Sequence, residues 1–369
     1  MSGTAAAVPP PGAPGAPDAP GRPRPKGRRH HDLRRFLLQR LGTGLVLLVG
    51  ITLVAFVLTH VVPGDPAAAN LGQRAIGDPA AVAAFRHQYG LDRPLPVQYV
   101  LYLKNLLHGN LGISEQSHRP VRADLAEYVP ATIELALFAI VLSLVIGIGL
   151  GIVAAVFRDR WPDHLIRVFS LAGVSMPVFW IALVAFYLLF FKLGWLPGGG
   201  RLDPTQSAPT HLTGMFTVDA AVHGQWTLLA SALRHLLLPG LVLAIFTVGM
   251  LTRFTRASML EIMGNDYVRA ARLKGLPERT VILRHVLRPA LVSIITVAGV
   301  AFGSLLSGTV LVENIFSWPG VGQYAYRSAV NLDLPAIMGV SLFVALVYIV
   351  VNLVVDLLYG VIDPRIRLS

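Results

Sequence analysis

No cysteine occurs in the 369 residues, which excludes disulfides, thiolate metal sites and cysteine nucleophiles. Any segment outside a membrane must then be held by packing and hydrogen bonds. Charged residues are also scarce, at 14%. None of Lys26, Lys104, Lys192 and Lys274 follows a glycine, so the chain lacks the P-loop that cradles nucleotide phosphates. It has no His-Glu-x-x-His run, and its 11 histidines are not spaced like a metal cluster. These absences exclude a P-loop ATPase and argue against a metalloenzyme.

What the chain has instead is hydrophobicity, with 54% apolar residues and a mean hydropathy of +0.61. Residues 1–30 are a Pro-, Ala- and Gly-rich tail with almost no large apolar side chains, which predicts disorder. A signal peptide is the competing reading of the basic residues before the first apolar run. However, Leu41 to Val62 is long enough to span a membrane, and no small-residue cleavage site precedes Pro63-Gly64-Asp65-Pro66. Further runs lie near Ala131 to Phe157, Leu165 to Phe191, Leu236 to Thr252, Ala290 to Val312 and Ala336 to Ile362. The expectation is an all-α integral membrane protein with six transmembrane helices.

The formal charge of +11 would suit a nucleic-acid partner if it were clustered on one face. Its distribution is topological instead. Of the 31 Lys and Arg, 21 fall in the N-terminal segment, the turn 158–167, the stretch 253–288 and the C-terminus; 10 fall in the alternate segments. The positive-inside rule then places both termini in the cytoplasm, and no nucleic acid is implied. The basic run before the first span also suits anionic membrane lipid. The chain divides into the tail 1–30, a first span with its basic flank at 31–62, an extracytoplasmic segment at 63–130, and a five-helix core at 131–369 that includes the cytoplasmic loop 253–288. Val97 to Leu107 is apolar-periodic, so the extracytoplasmic segment should contain short helices.

Several residues in or beside spans need explaining. Glu134, Asp356 and Arg234-His235 are ionisable, and such groups face a bundle interior, a cavity or an interface. Glu134 is a candidate for a water-filled translocation path. Met176 and Pro177 are candidates for a path or gate, because proline breaks helical hydrogen bonding; Pro239-Gly240 reads the same way, and both can also be packing kinks. Gly147 with Gly151, and Gly303 with Ser307, have the spacing that lets helices approach closely. An intramembrane serine hydrolase built on Ser175 with His60 or His235 as base is a further alternative. A stand-alone secondary transporter or channel is another, although no internal repeat is evident.

The stretch Asn265 to Ala290 reads NDYVRAARLKGLPERTVILRHVLRPA. Asn265 or Asp266 can cap a helix through Lys274, Gly275 suits the left-handed position after it, and Pro277 with Glu278 suits the first turn of a second helix. Ala270 and Ala271 make the first helix thin, so that another surface can come close, with Arg269, Arg272 and Lys274 beside them. That is the form of a docking helix, although a solvated basic loop would share its charge.

The pattern Ala270-Ala271-x-x-x-Gly275, with His285-x-Leu287 following, resembles the EAA loop of ABC-importer permeases, and the wider DYVRAARLKG…RHVLRPAL looks like the dipeptide/oligopeptide branch. Arg269 stands where the general motif has Glu, and Arg288-Pro289 where it has Pro directly after the Leu. PGDP (63–66), YGLDRPLPVQY (89–99), GNLGIS (109–114), ENIFSWPGVG (313–322) and DPRIR (363–367) share the resemblance. It implies the type I ABC-importer permease architecture in a bacterial cell membrane, and no covalent chemistry. The implied partners are a second homologous permease subunit, ATP-binding subunits that carry ATP and Mg, and an extracytoplasmic peptide-binding protein that docks on 63–130; this chain holds no cofactor. Coupling to the ATPase is expected at Arg269, Ala270, Ala271, Gly275, Leu276 and His285. Gly275→Pro or a bulky residue at Ala271 is expected to uncouple transport but not insertion. Peptide is the implied cargo, with nickel chelates and glutathione-like tripeptides as alternatives.

Overall fold

The computed structural model describes residues 28–61, 79–88 and 92–362. The PGDP and DPRIR stretches lie outside them, as do the side chains of His60, Ser307 and Asp356. Among the described residues there are helices and no strand, only an isolated bridge between Ile113 and Pro120. The helices are α1 (Arg28–Val61), α2 (Pro79–Gln88), α3 (Leu95–Leu107), α4 (Val121–Val156), α5 (Trp161–Ser175), α6 (Val178–Ala185), α7 (Phe216–Val222), α8 (Trp226–Met263), α9 (Asp266–Leu273), α10 (Glu278–Thr280), α11 (Arg288–Ile315), α12 (Val321–Val330) and α13 (Leu334–Ile362). Helix α6 continues into a π-helical stretch at Phe186–Lys192, and a second one, Val281–Leu287, joins α10 to α11.

Four helices are long and apolar enough to cross a membrane, or five if the bent pair α5–α6 counts as one span; Gly42–Leu58 of α1 is a shorter apolar helix. Such segments are helical because every backbone polar group must find its partner within the helix when water is excluded. The expected span Leu165 to Phe191 is broken near its middle. It is two helices meeting at 107°, because Pro177 has no N–H to donate and Met176 before it is extended (φ −84°, ψ 135°). Pro239-Gly240 lies instead inside the unbroken α8. There a glycine is needed because the Phe138 ring occupies the space of a side chain.

Helices α4 and α8 form the central pair. Gly147 and Gly151 of α4 let α8 approach until a methyl at Gly151 would lie 3.0 Å from the Thr252 carbonyl oxygen. Helix α1 packs on α13, with Gly44 against Ile349. Helix α3 leans on α1 through Tyr99, whose hydroxyl lies 3.1 Å from Thr52 Oγ1 and donates to the Val49 carbonyl at 3.2 Å. One end of α4, α5 and α8 carries the basic turns and is called the basic end below.

Candidate functional site

At the basic end, α9 starts where Asn265 is extended (φ −75°, ψ 144°), so the boundary falls as the residues indicate, but the Asn265 side chain makes no capping bond. The far end follows the helix-stop rule in detail. Gly275 has φ +75°, its N–H donates to Arg272 O at 2.9 Å, and Leu276 N–H donates to Ala271 O at 3.4 Å. This is a Schellman closure, which a side chain with a Cβ would strain. Pro277 precedes the next helix, and Arg272 spans the turn to Glu278 with contacts of 2.8 and 3.2 Å.

The two alanines point in different directions. Ala271 is 5% exposed and lies with Val268 in a core cluster, while Ala270 is exposed beside Arg269, Gly275 and Leu276. Ala271 therefore seats α9 on its own chain, and Ala270 faces outward. Leu273 beside it is 82% exposed. His285 lies in the π-helical stretch, half-buried, and its carbonyl accepts the Tyr267 hydroxyl at 3.3 Å.

The cluster beneath α9 is continuous with the spans. Val268 and Ala271 share it with Leu251 and Met259 of α8, Ala155 of α4, Val281, Ile282 and Val286 of the π-helical stretch, and Ala290, Ile294 and Ala298 of α11. Close-packed interiors transmit displacement because they have no slack volume. The cluster thus joins α9 to α4, α8 and α11 without a gap.

The opposite end is held by buried polar networks that pattern reading missed. Glu134, which the sequence offers to a water-filled path, is buried and engaged. Its Oε2 accepts Arg201 Nη2 at 2.6 Å, and its Oε1 accepts the Thr217 N–H and hydroxyl at 2.6 and 2.7 Å. Arg201 lies 3.6 Å from the centre of the Phe216 ring and donates to Gly214 O at 2.9 Å. Burial lowers the Arg201 pKa, against the upward pull of Glu134. The ENIFSWPGVG stretch folds around a buried carboxylate. Glu313 Oε1 accepts Thr132 Oγ1 at 2.8 Å, its Oε2 accepts Gln323 N–H at 2.9 Å, and a side chain on Gly320 would run into it. Trp318 Nε1 donates to Ala131 O at 2.9 Å, and the loop from α6 joins through Gly200 N–H to Phe316 O at 3.0 Å. The signal for Glu313 was available in its place at the end of an apolar run; nothing local pointed to Arg201 as the partner of Glu134.

Met176 and Pro177 are exposed at the α5–α6 break. Among the described residues no hydrogen bond joins Ser175 to a histidine. His235 is buried, with Nδ1 on Ser231 O at 2.9 Å and Nε2 3.9 Å from Asp203, and the described residues contain no group of three or more His, Asp or Glu fit for a metal.

The family model described as "Binding-protein-dependent transport system inner membrane component" matches residues 147–368, and a companion model for the N-terminal part of such membrane components matches residues 33–136. Among curated proteins, the chain is 46% identical to a probable D,D-dipeptide transport system permease protein of Escherichia coli, over 89% of this chain and 97% of that one. It is 40% identical to a dipeptide transport system permease protein of Alkalihalophilus pseudofirmus, over 90% and 99% of the two chains. A di/tripeptide transport system permease protein of Pseudomonas aeruginosa is 41% identical over 90% and 98%.

Proposed function

The chain belongs to the family of binding-protein-dependent transport system inner membrane components, and from that premise we propose that it is the permease subunit of an ATP-driven importer of di- and oligopeptides. The peptide cargo is supported by the names of its relatives. In this proposal six spans, with α1 the first and α5–α6 together the third, leave both termini and the basic end in the bacterial cytoplasm. The distribution of Lys and Arg supports that orientation. The partners are a second homologous permease subunit, ATP-binding subunits that hold ATP and Mg, and an extracytoplasmic peptide-binding protein that meets the segment 63–130.

The observation that carries the reading is the unbroken packing from α9 into α4, α8 and α11 beneath an exposed face at Ala270 and Leu273. Closure of the ATPase pair on nucleotide would press on that face. The spans would follow as packed bodies, since a tightly packed helix set switches between arrangements and does not deform gradually. Arg269, Ala270, Gly275 and Leu276 form the contact; Ala271 and the His285 carbonyl hold it in place. The path runs beside Met176 and Pro177, because backbone that leaves the helix at membrane depth is tolerated where it lines a cavity or is buried in protein. Glu134 fixes the outer wall of that path through Arg201.

Reconstitution into proteoliposomes with the partner subunits tests the reading. Uptake of labelled dipeptide should require ATP, the binding protein and the ATPase subunits together. Uptake by this chain alone down a peptide or proton gradient would replace it with a secondary transporter.

A further inference from the structure

Between α4, α5 and α8 lies an apolar groove of about 180 Å³ lined by Ile146 and Leu150 of α4, Phe169 and Ser170 of α5, and Ile245 and Thr252 of α8. It reaches along α8 from Leu241 to Thr252, roughly 16 Å at the helical rise.

One turn beyond Thr252 along α8 is Arg256, and three residues before Ser170 on α5 is Arg167. Both face one carboxylate. Arg256 donates to Asp163 through Nε at 2.7 Å and Nη2 at 2.8 Å, and Arg167 Nε lies 3.6 Å from Asp163 Oδ1. Asp163 is buried, whereas the Arg167 side chain is 46% exposed and also contacts His164. Asp159, which also acts on Arg256, is paired with Arg158 at 3.2 Å, so the two guanidinium groups around Asp163 leave one positive charge in excess beyond the groove. Trp161 is exposed at the start of α5, the placement that anchors a helix at a membrane surface.

We propose that this groove seats one acyl chain of an anionic glycerophospholipid, with the lipid phosphate at Arg167 and Arg256. Hydrocarbon is the solvent of these three helices, so an acyl chain is the apolar material at hand, and the excess positive charge selects an anionic headgroup. Chain and headgroup follow each other along a diacyl lipid in the order that the apolar wall and the arginines follow along the groove. The proposal needs only that α4, α5 and α8 lie in a membrane, and so stands apart from the cargo and the coupling.

The full-length protein in detergent, titrated in a native mass spectrometer with dioleoylphosphatidylglycerol or dioleoylphosphatidylcholine, tests it. One equivalent of the phosphatidylglycerol should bind about tenfold more tightly, the ratio given by about 1.4 kcal/mol of charge-assisted contact. Arg167→Gln should remove most of that preference and Arg167→Lys should keep it; Leu150→Trp should weaken both lipids. Since a tryptophan there can also disturb packing, Phe169→benzoylphenylalanine at the exposed rim supplies a second reading, and irradiation should attach it to phosphatidylglycerol. Equal affinity for the two lipids, a preference that survives Arg167→Gln, displacement by glycerol phosphate alone, or photocapture of a second copy or partner chain in place of lipid would each overturn the proposal.

Discussion

Thr132 and Glu313 are 181 residues apart in the chain, yet the Thr132 hydroxyl donates to the Glu313 carboxylate at 2.8 Å and accepts the Val321 N–H at 2.7 Å. One hydroxyl thereby joins the start of the α4 span to the end of α11 and the first turn of α12. Removing it would leave two buried polar groups short of a partner, each worth about 1–3 kcal/mol. Thr132→Val should lower the unfolding temperature of the detergent-solubilised protein by several degrees, and Thr132→Ser should restore most of the loss.

The Glu134–Arg201 pair makes a stronger prediction. Both side chains are nearly excluded from solvent, 4% and 7% exposed, so truncating one strands a charge. Glu134→Ala should cost about 3–5 kcal/mol, and Glu134→Met combined with Arg201→Met should cost much less than the two single changes summed. A double-mutant cycle by thermal unfolding measures the difference. Additive losses would mean that the two side chains do not depend on each other.

Gly275 separates conformation from contact. Its φ of +75° suits Gly and, at some cost, Asn, but costs a β-branched residue the most. Gly275→Val should abolish dipeptide-stimulated ATP hydrolysis in the reconstituted complex while membrane insertion persists, and Gly275→Asn should retain a large part of it. Equal activity in the two variants would show that the turn geometry is unimportant.

One acid makes stability depend on pH at the GNLGIS end. Burial, with Asp333 nearby, pushes the Glu115 carboxyl up to about 7. Because folding raises this pKa, the folded protein holds the proton more tightly than the unfolded chain. The resulting stabilisation is complete below about 4.5 and is lost as pH rises through 7. The unfolding temperature should therefore fall more steeply between pH 5 and pH 8 in the wild type than in Glu115→Gln. Identical slopes would remove Glu115 as the cause.

Much of this molecule was legible in its residues. The apolar runs located the central spans because in lipid a backbone has few choices, and Gly275 with Pro277 marked the α9 turn because both act locally. The 107° bend was not legible: Pro177 announces a break, but neighbouring helices set its angle. Nor were the true lengths of α4 and α8, whose ends at Val121 and Trp226 lie outside the apolar signal. Ion pairs such as Glu134 with Arg201 join sites 67 residues apart, for which one sequence carries no pairing information. The opposite facing of Ala270 and Ala271 was within reach, since Val268 and Ala271 are three apart and so share a face that Ala270 does not.

In the proposed mechanism, α9 passes ATPase closure to the spans through its exposed face. Ala271→Trp would test this poorly, because overpacking the cluster would itself cost about 1–3 kcal/mol. The direct measurement is ATP-dependent dipeptide uptake by proteoliposomes carrying the assembled transporter with Ala270→Trp, alongside its unfolding temperature. Uptake should fall at least tenfold with the unfolding temperature unchanged, since a bulky ring on the open face obstructs the partner at a distance from the core; tenfold corresponds to about 1.4 kcal/mol of lost contact. Wild-type uptake by a stably folded Ala270→Trp protein would mean that the exposed face of α9 carries no coupling contact.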